Sequence, residues 1–284
     1  MSGASALNNT GLDWIEPTWP APHRVRACTT TRQGGVSVPP YDSLNLAQHV
    51  GDDAQAVREN RRRLTQILRL PAEPIWLDQV HGACAVDAAS VPPASSGLIK
   101  ADAIYAKGPD QVCAVLTADC LPLLLCNHAG TQVAAVHAGW RGLAAGVIEA
   151  AVAAFEIAPG HLMAWLGPAI GPHSYAVGAE VRAAFVDKDS AAAQAFTPVP
   201  ARSPLAVKTR AENTAFPEPE ISARRWYADM YALARLRLAA IGVRQVYGGN
   251  DCTLSDPRFY SYRRNGITGR MATLIWIETV TSNK

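Results

Sequence analysis

The sequence predicts an α+β fold in one domain, and three observations carry that prediction. Short apolar runs bounded by turn residues crowd the stretch 74–166 and read as strands. Longer segments with one apolar side, above all 226–241, read as helices. The two kinds mix without the strict strand–helix alternation of a doubly wound parallel sheet.

Residues 1–22 form a polar, proline-containing lead-in, followed by a single domain over 23–284. A strand at 24–30 runs into Thr31-Arg32-Gln33-Gly34-Gly35-Val36, whose paired glycines mark a tight turn. Asp52 or Asp53 is a fair N-cap for a helix over 54–70, with Arg58, Arg61, Arg62 and Arg63 on a solvated face. Strands follow at 75–77, 103–105, 113–117, 123–126 and 133–136. An Ala- and Val-rich buried helix spans 142–157, and a strand at 163–166 ends in the irregular loop 167–172. The segment 178–186 reads as helix. Residues 187–221, with weak periodicity, read as a short helix plus a surface insertion. In the helix over 226–241, Tyr227, Met230, Tyr231, Ala234 and Leu238 share one side. Strands at 245–247 and 272–277 close the chain.

Composition narrows the functional classes. With 284 residues, 49% hydrophobic and 18% charged, the chain can bury a substantial core. A net charge of +2 gives no argument for nucleic acid or an acidic surface as partner. The arginine-rich helix lacks the aromatic partners of a nucleic-acid stripe. No apolar stretch is long and uninterrupted enough to span a bilayer, and the first residues lack the pattern of a secretory signal. Six irregularly spaced cysteines without a CxxC pair argue against a disulfide framework. The expectation is a cytoplasmic monomer.

Three residues stand out as soft-metal ligands. His81 lies in Gln79-Val80-His81-Gly82, Cys120 in Thr117-Ala118-Asp119-Cys120-Leu121-Pro122, and His137 in Ala135-Val136-His137-Ala138-Gly139-Trp140-Arg141-Gly142. Each follows or ends a strand-like run, where a sheet presents chemistry. Two imidazoles and one thiolate suit a zinc site with its fourth position open for water or substrate. Without metal, Cys120 can act as a thiolate nucleophile activated by a histidine. A buried structural thiol is the plainer alternative, and it fits Cys113 and Cys126, which sit inside apolar runs. His128 and His161 fall in turns, and His23 and His49 have no supporting context. Asp119 either orients a histidine, moves a proton, or stabilises a turn. Arg141, between Gly139 and Gly142 at a helix start, suits an anion site or a surface ion pair. Arg32, Arg263 and Arg264 lie in loops that can converge on the same cleft.

Together these segments resemble the YfiH/YlmD family, known as laccase-domain proteins. The likeness runs from 29–37 and Ser43-Leu44-Asn45-Leu46 through the three ligand motifs, Gly167-Pro168-Ala169-Ile170-Gly171 and the segment 259–271. It covers roughly 24–278. The resemblance implies α/β/β/α layers related to the Cys-His toxin deamidase fold, with zinc on His81, Cys120 and His137. It implies purine nucleoside phosphorolysis, in which adenosine, inosine, guanosine or methylthioadenosine plus phosphate gives the base and a ribose 1-phosphate. Adenosine deamination accompanies it. His81, Cys120, His137 and Asp119 become catalytic candidates, and Arg32, Asn45, Arg141, Arg263 and Arg264 substrate-binding ones. The family often has Glu and Asp where this chain has Ala176 and Asn265. Competing readings are a Cys-His hydrolase acting on peptidoglycan precursors, copper-dependent polyphenol oxidation, and a metal-stabilised module without turnover. Seven histidines with no HxH pair speak against a multicopper centre.

Overall fold

The structure, a computed structural model, describes residues 11–92, 99–200 and 225–279. The chain begins with β1 (Trp14–Ile15), β2 (Val25–Thr30), α1 (Ala54–Ile67), β3 (Ala85–Asp87) and β4 (Ala103–Ala106). Next come β5 (Val112–Thr117), β6 (Leu121–Asn127), β7 (Val133–Ala138), α2 (Trp140–Ala145), α3 (Val147–Ala153) and β8 (Leu162–Leu166). Then follow β9 (Ala176–Val177), α4 (Ala179–Val186), β10 (Phe196–Pro198), β11 (Trp226–Ala228), α5 (Met230–Ala240), β12 (Gln245–Gly248), α6 (Tyr262–Asn265) and β13 (Met271–Ile277).

Two sheets stack at the centre. One is antiparallel with order β1-β2-β13-β5. The other is mixed, with order β12-β8-β6-β7-β4-β3 and parallel pairs at both ends. The strands sort their side chains with period two, as pleating requires. On β13, Leu274 and Trp276 pack with Leu64 of α1, while Ile275 and Ile277 meet Leu124, Val133 and Ala135 of the facing sheet. On β6, Leu121, Leu123 and Leu125 turn outward against α2, α3 and α5. The layers are therefore α, β, β, α. These three leucines are at 0% exposure, and each contributes roughly 1.5–3 kcal/mol by burial. A small antiparallel sheet, β10-β11-β9, flanks the helical side.

Several local expectations change. Part of the lead-in is built into the fold: β1 pairs with β2, and Leu12 and Trp14 are buried. The 75–77 run makes only the bridge of Ile75 to Cys113. The helix expected over 142–157 begins at Trp140 and breaks at Gly146, whose φ of 101° no L-residue adopts easily. The helix expected over 226–241 is a strand followed by a helix. Trp226 pairs with Val177 and Pro198, and Asp229 caps α5 by accepting from the Ala232 amide. The arginines of α1 do not share one solvated face. Arg62 and Arg63 pair with Glu59, but Arg61 is buried, stacks 4.2 Å over Trp76 and donates to the Leu46 carbonyl. Of the insertion expected near 187–221, residues 190–195 form a 3-10 turn and 196–198 form β10; 201–224 lie outside the described residues.

Candidate metal centre and cleft

The site sits where the chain crosses from one central sheet to the other. β5 ends at Thr117, and Ala118, Asp119 and Cys120 carry the chain into β6. Asp119 takes a left-handed φ of 90° at this crossing. His137 is on β7, opposite Pro122 of β6, so the strand ladder fixes its backbone. His81 stands on an exposed turn with φ 59°. That turn is tethered to β5 through Gln79, whose side-chain amide donates to the Leu116 carbonyl and accepts from the Leu116 amide.

The ligand atoms of His81, Cys120 and His137 all lie within 4.8 Å of one another. Cys120 Sγ is 3.8 Å from His81 Nε2, and the two imidazoles meet edge-on with centroids 4.8 Å apart. One carboxylate organises both histidines. Asp102, fully buried, sits 2.8 Å from His137 Nδ1 and accepts from the backbone amides of Val80, His81 and Gly82. With Nδ1 engaged, Nε2 is the ring nitrogen left to His137 for a metal, the carboxylate–histidine–metal arrangement. Gly139 keeps the space open: a Cβ there would lie 2.6 Å from His81 Cδ2 and 3.2 Å from Cys120 Sγ. The donor set and the clearance fit a zinc ion held by two nitrogens and one sulfur.

Electrostatics match that chemistry. Burial pushes the Cys120 thiol up, but the His137 and His81 rings beside it outweigh burial and bring it below its usual range. Burial pulls His137 down, yet Cys120 and Asp102 hold its pKa above the ordinary value. The pair therefore favours thiolate facing imidazolium, the forms a metal or an electrophile would exploit. Cys28, Cys113 and Cys126 are buried away from such partners, and burial raises each.

Above the trio opens a cleft of about 510 Å³, within the range of small-molecule sites. Asp119, Arg141 and Arg263 line it, as do His49, Thr117, Trp140, Tyr175, Tyr262 and Arg270. Arg32, Asn45 and Arg264 do not. Arg32 is tied to Asp42 and stacks on Tyr260. Asn45 is fully buried, bonding to Ala47, Asp52 and the Arg270 amide. Arg264 donates to the carbonyls of Thr253, Leu254 and Phe259 and to Asn265. These three build the loops around the cleft. Asp119 lines it, but its oxygens accept from Thr253 Oγ1 at 2.7 Å and the Arg263 amide at 2.6 Å. Asp102, not Asp119, pairs with a histidine ring. Sequence reasoning missed Asp102, Arg270 and Tyr175. The only signal for Asp102 was an acid at the head of an apolar run, in Lys100-Ala101-Asp102-Ala103.

A family model described as multi-copper polyphenol oxidoreductase laccase matches residues 26–278. A protein of Pseudomonas aeruginosa named purine nucleoside phosphorylase is 52% identical over 266 residues, covering 93% of this chain and 98% of that one. The Escherichia coli purine nucleoside phosphorylase YfiH is 49% identical, with 93% and 98% covered. Among solved structures, a Neisseria meningitidis protein superposes with a TM-score of 0.82 at 44% identity, covering 94% of this chain and 99% of that one. YlmD of Geobacillus stearothermophilus gives a TM-score of 0.77 at 29% identity, with 97% and 99% covered. The family description speaks of copper oxidation while the relatives' names speak of phosphorolysis. By this match over nearly its whole length, the chain belongs to the multi-copper polyphenol oxidoreductase laccase family, alongside YfiH and YlmD.

Proposed function

We propose that this protein is a zinc-dependent purine nucleoside phosphorylase that also deaminates adenosine. The observation that carries the reading is an open two-imidazole, one-thiolate cluster at the base of a cleft lined by arginines and aromatic rings. The names of the relatives support the reaction class. Zinc on His81, Cys120 and His137 would supply Lewis-acid polarisation. Asp102 orients His137 and the His81 turn. Arg141 and Arg263 hold phosphate, while Trp140, Tyr175 and Tyr262 offer ring faces to a purine. Phosphate oxygen attacks the anomeric carbon, the glycosidic C–N bond breaks, its electron pair goes to the base, and the base takes up a proton. Positive charge grows on the ribose as that bond breaks, as in glycoside cleavage. In the deamination Asp119 moves a proton; each of its oxygens keeps a second lone pair for that use. A cytoplasmic, monomeric enzyme completes the reading; six cysteines without a disulfide fit a reducing compartment.

The test is chromatography of adenosine incubated with the zinc-loaded protein, with and without phosphate. Adenine formed only with phosphate is the expected result, together with inosine in both samples. No conversion in either sample, with zinc bound, would overturn the proposal.

One observation favours a second reading. Cys120, His137 and Asp102 line up as thiolate, imidazole and carboxylate, the arrangement of a cysteine hydrolase and of the proposed kinship with Cys-His toxin deamidases. Such a hydrolase, acting for example on peptidoglycan precursors, keeps its activity in a chelator and loses it on thiol alkylation. The phosphorylase loses activity in both. Copper suits the same donors, but oxidation of phenols by a multicopper centre draws on more ligands than this one cluster among the described residues offers.

A further inference from the structure

Two groups of arginines contrast. Arg26, Arg32, Arg62, Arg63, Arg237 and Arg258 each pair with a carboxylate. The three in the cleft pair with none among the described residues; each lies instead by an aromatic ring, Arg141 over Trp140, Arg263 over Tyr175 and Arg270 by Tyr262. The one lining carboxylate, Asp119, is already engaged by Thr253 and Arg263. Of the three arginines Arg270 is the most enclosed, being half-buried where Arg141 and Arg263 are exposed. Its Nη1 donates to the carbonyls of Thr268 and Gly269, while Nε and Nη2 bond to nothing among the described residues.

Beside it lies an independent orphan. Thr117 is 1% exposed and lines the same cleft, yet its hydroxyl has no hydrogen-bond partner. Both residues line the same cleft, and the sheet brings their backbones close, because Met271, next to Arg270, is the register partner of Thr117. A buried hydroxyl without a partner costs about 1–3 kcal/mol. An oxyanion accepting from the Thr117 hydroxyl would remove that cost and take the free N–H groups of Arg270.

Resting on the phosphorylase reading, we propose that Arg270 and Thr117, the latter three residues before Cys120 in the chain, form the inner subsite for the phosphate co-substrate. Inorganic phosphate fits because it accepts from a guanidinium by two oxygens and from a hydroxyl by a third. Arg141 and Arg263 hold it from the outer, exposed side of the cleft.

Titration calorimetry with inorganic phosphate on the zinc-loaded protein, without nucleoside, tests this directly. Arg270→Gln weakens phosphate by about 10-fold to 100-fold, the size expected for charge-assisted bonds. Thr117→Val, which keeps the shape of the buried side chain, weakens it about 3-fold to 10-fold. Zinc content and the affinity for inosine measured without phosphate stay unchanged in the Thr117→Val protein. Unchanged phosphate affinity in both variants, or no binding by the unaltered protein, overturns the subsite. Phosphate bound as proposed, by a protein that converts no nucleoside, overturns the phosphorylase reading and leaves the anion site standing.

Discussion

The two histidines of the candidate metal centre reach the same place by different means. His137 sits on a strand at the middle of a six-stranded sheet, 3% exposed, its backbone fixed by the pairing of β7 with β4 and β6. His81 sits on an exposed turn in a left-handed conformation and has no ladder to hold it. What makes them equivalent is Asp102. Its carboxylate touches the ring of one and the backbone turn of the other. A strand ligand costs little to place, because sheet folding has already ordered it. A turn ligand must be ordered by something else, and here one buried acid does so together with the Gln79 tether to β5. Removing either residue is expected to abolish metal binding, with different consequences for the fold.

That difference is open to direct attack. The largest effect is expected from His137→Ala. It removes metal binding and activity, and it leaves the Asp102 carboxylate without its ring partner in the core, at a cost of about 1–3 kcal/mol. His81→Ala also removes metal binding, yet changes the stability of the metal-free protein by less than about 0.5 kcal/mol. Denaturant unfolding of the two metal-free variants checks the contrast. Equal losses of stability would mean that the turn is as integral to the core as the strand.

Asp102→Asn comes next. The amide keeps the shape but presents a donor where an acceptor is needed. Zinc affinity in a chelator competition falls about 10-fold to 100-fold. Hydrogen exchange separates the two ligands: the amides of 80–82 lose protection, while the His137 amide, bonded to the Asp102 backbone carbonyl at 2.7 Å, keeps it. The acid behaviour follows with its sign. Burial pushes the Asp102 carboxyl up, but the His137 ring and the Gly82 and His81 amides outweigh it and hold the pKa below the ordinary carboxylate value. The stabilisation is therefore complete above the unfolded value of about 4 and is lost as the pH falls through the lower folded value. In the metal-free protein the stability gap between wild type and Asp102→Asn is full at neutral pH and closes below that value. A gap independent of pH would remove the ionised carboxylate from the account.

Gly139→Ala is the smallest and the most local change. The added methyl meets the exposed His81 ring at 2.6 Å and spares the strand. Zinc affinity drops by less than in Asp102→Asn, and unfolding of the metal-free protein is nearly unchanged.

The same contrast explains what was legible in the sequence. His81, Cys120 and His137 stand out because each sits in glycine- and polar-rich surroundings at the end of an apolar run, a local pattern. The apolar runs that build the strands, as in β6 and β13, are equally local. Asp102 was not legible, because its role exists only once the 80–82 turn and β7 meet around it. The arginines divide for the same reason. Arg32 and Arg264 read as site residues by their motif, but Asp42 and the carbonyls of neighbouring loops claim their guanidinium groups. Arg270 was passed over, although the pairing of β13 with β5 delivers it into the cleft. Tertiary pairing also overrode helical periodicity at 226–228, where β9 and β10 draw the chain into a strand.

The most direct test is zinc X-ray absorption on the purified, zinc-loaded protein. The account predicts one sulfur at about 2.3 Å and two imidazole nitrogens at about 2.0–2.1 Å, with a further light-atom ligand. It also predicts loss of the sulfur shell in Cys120→Ala. A zinc shell of nitrogen and oxygen alone in the unaltered protein, or a sulfur shell that survives Cys120→Ala, would contradict it.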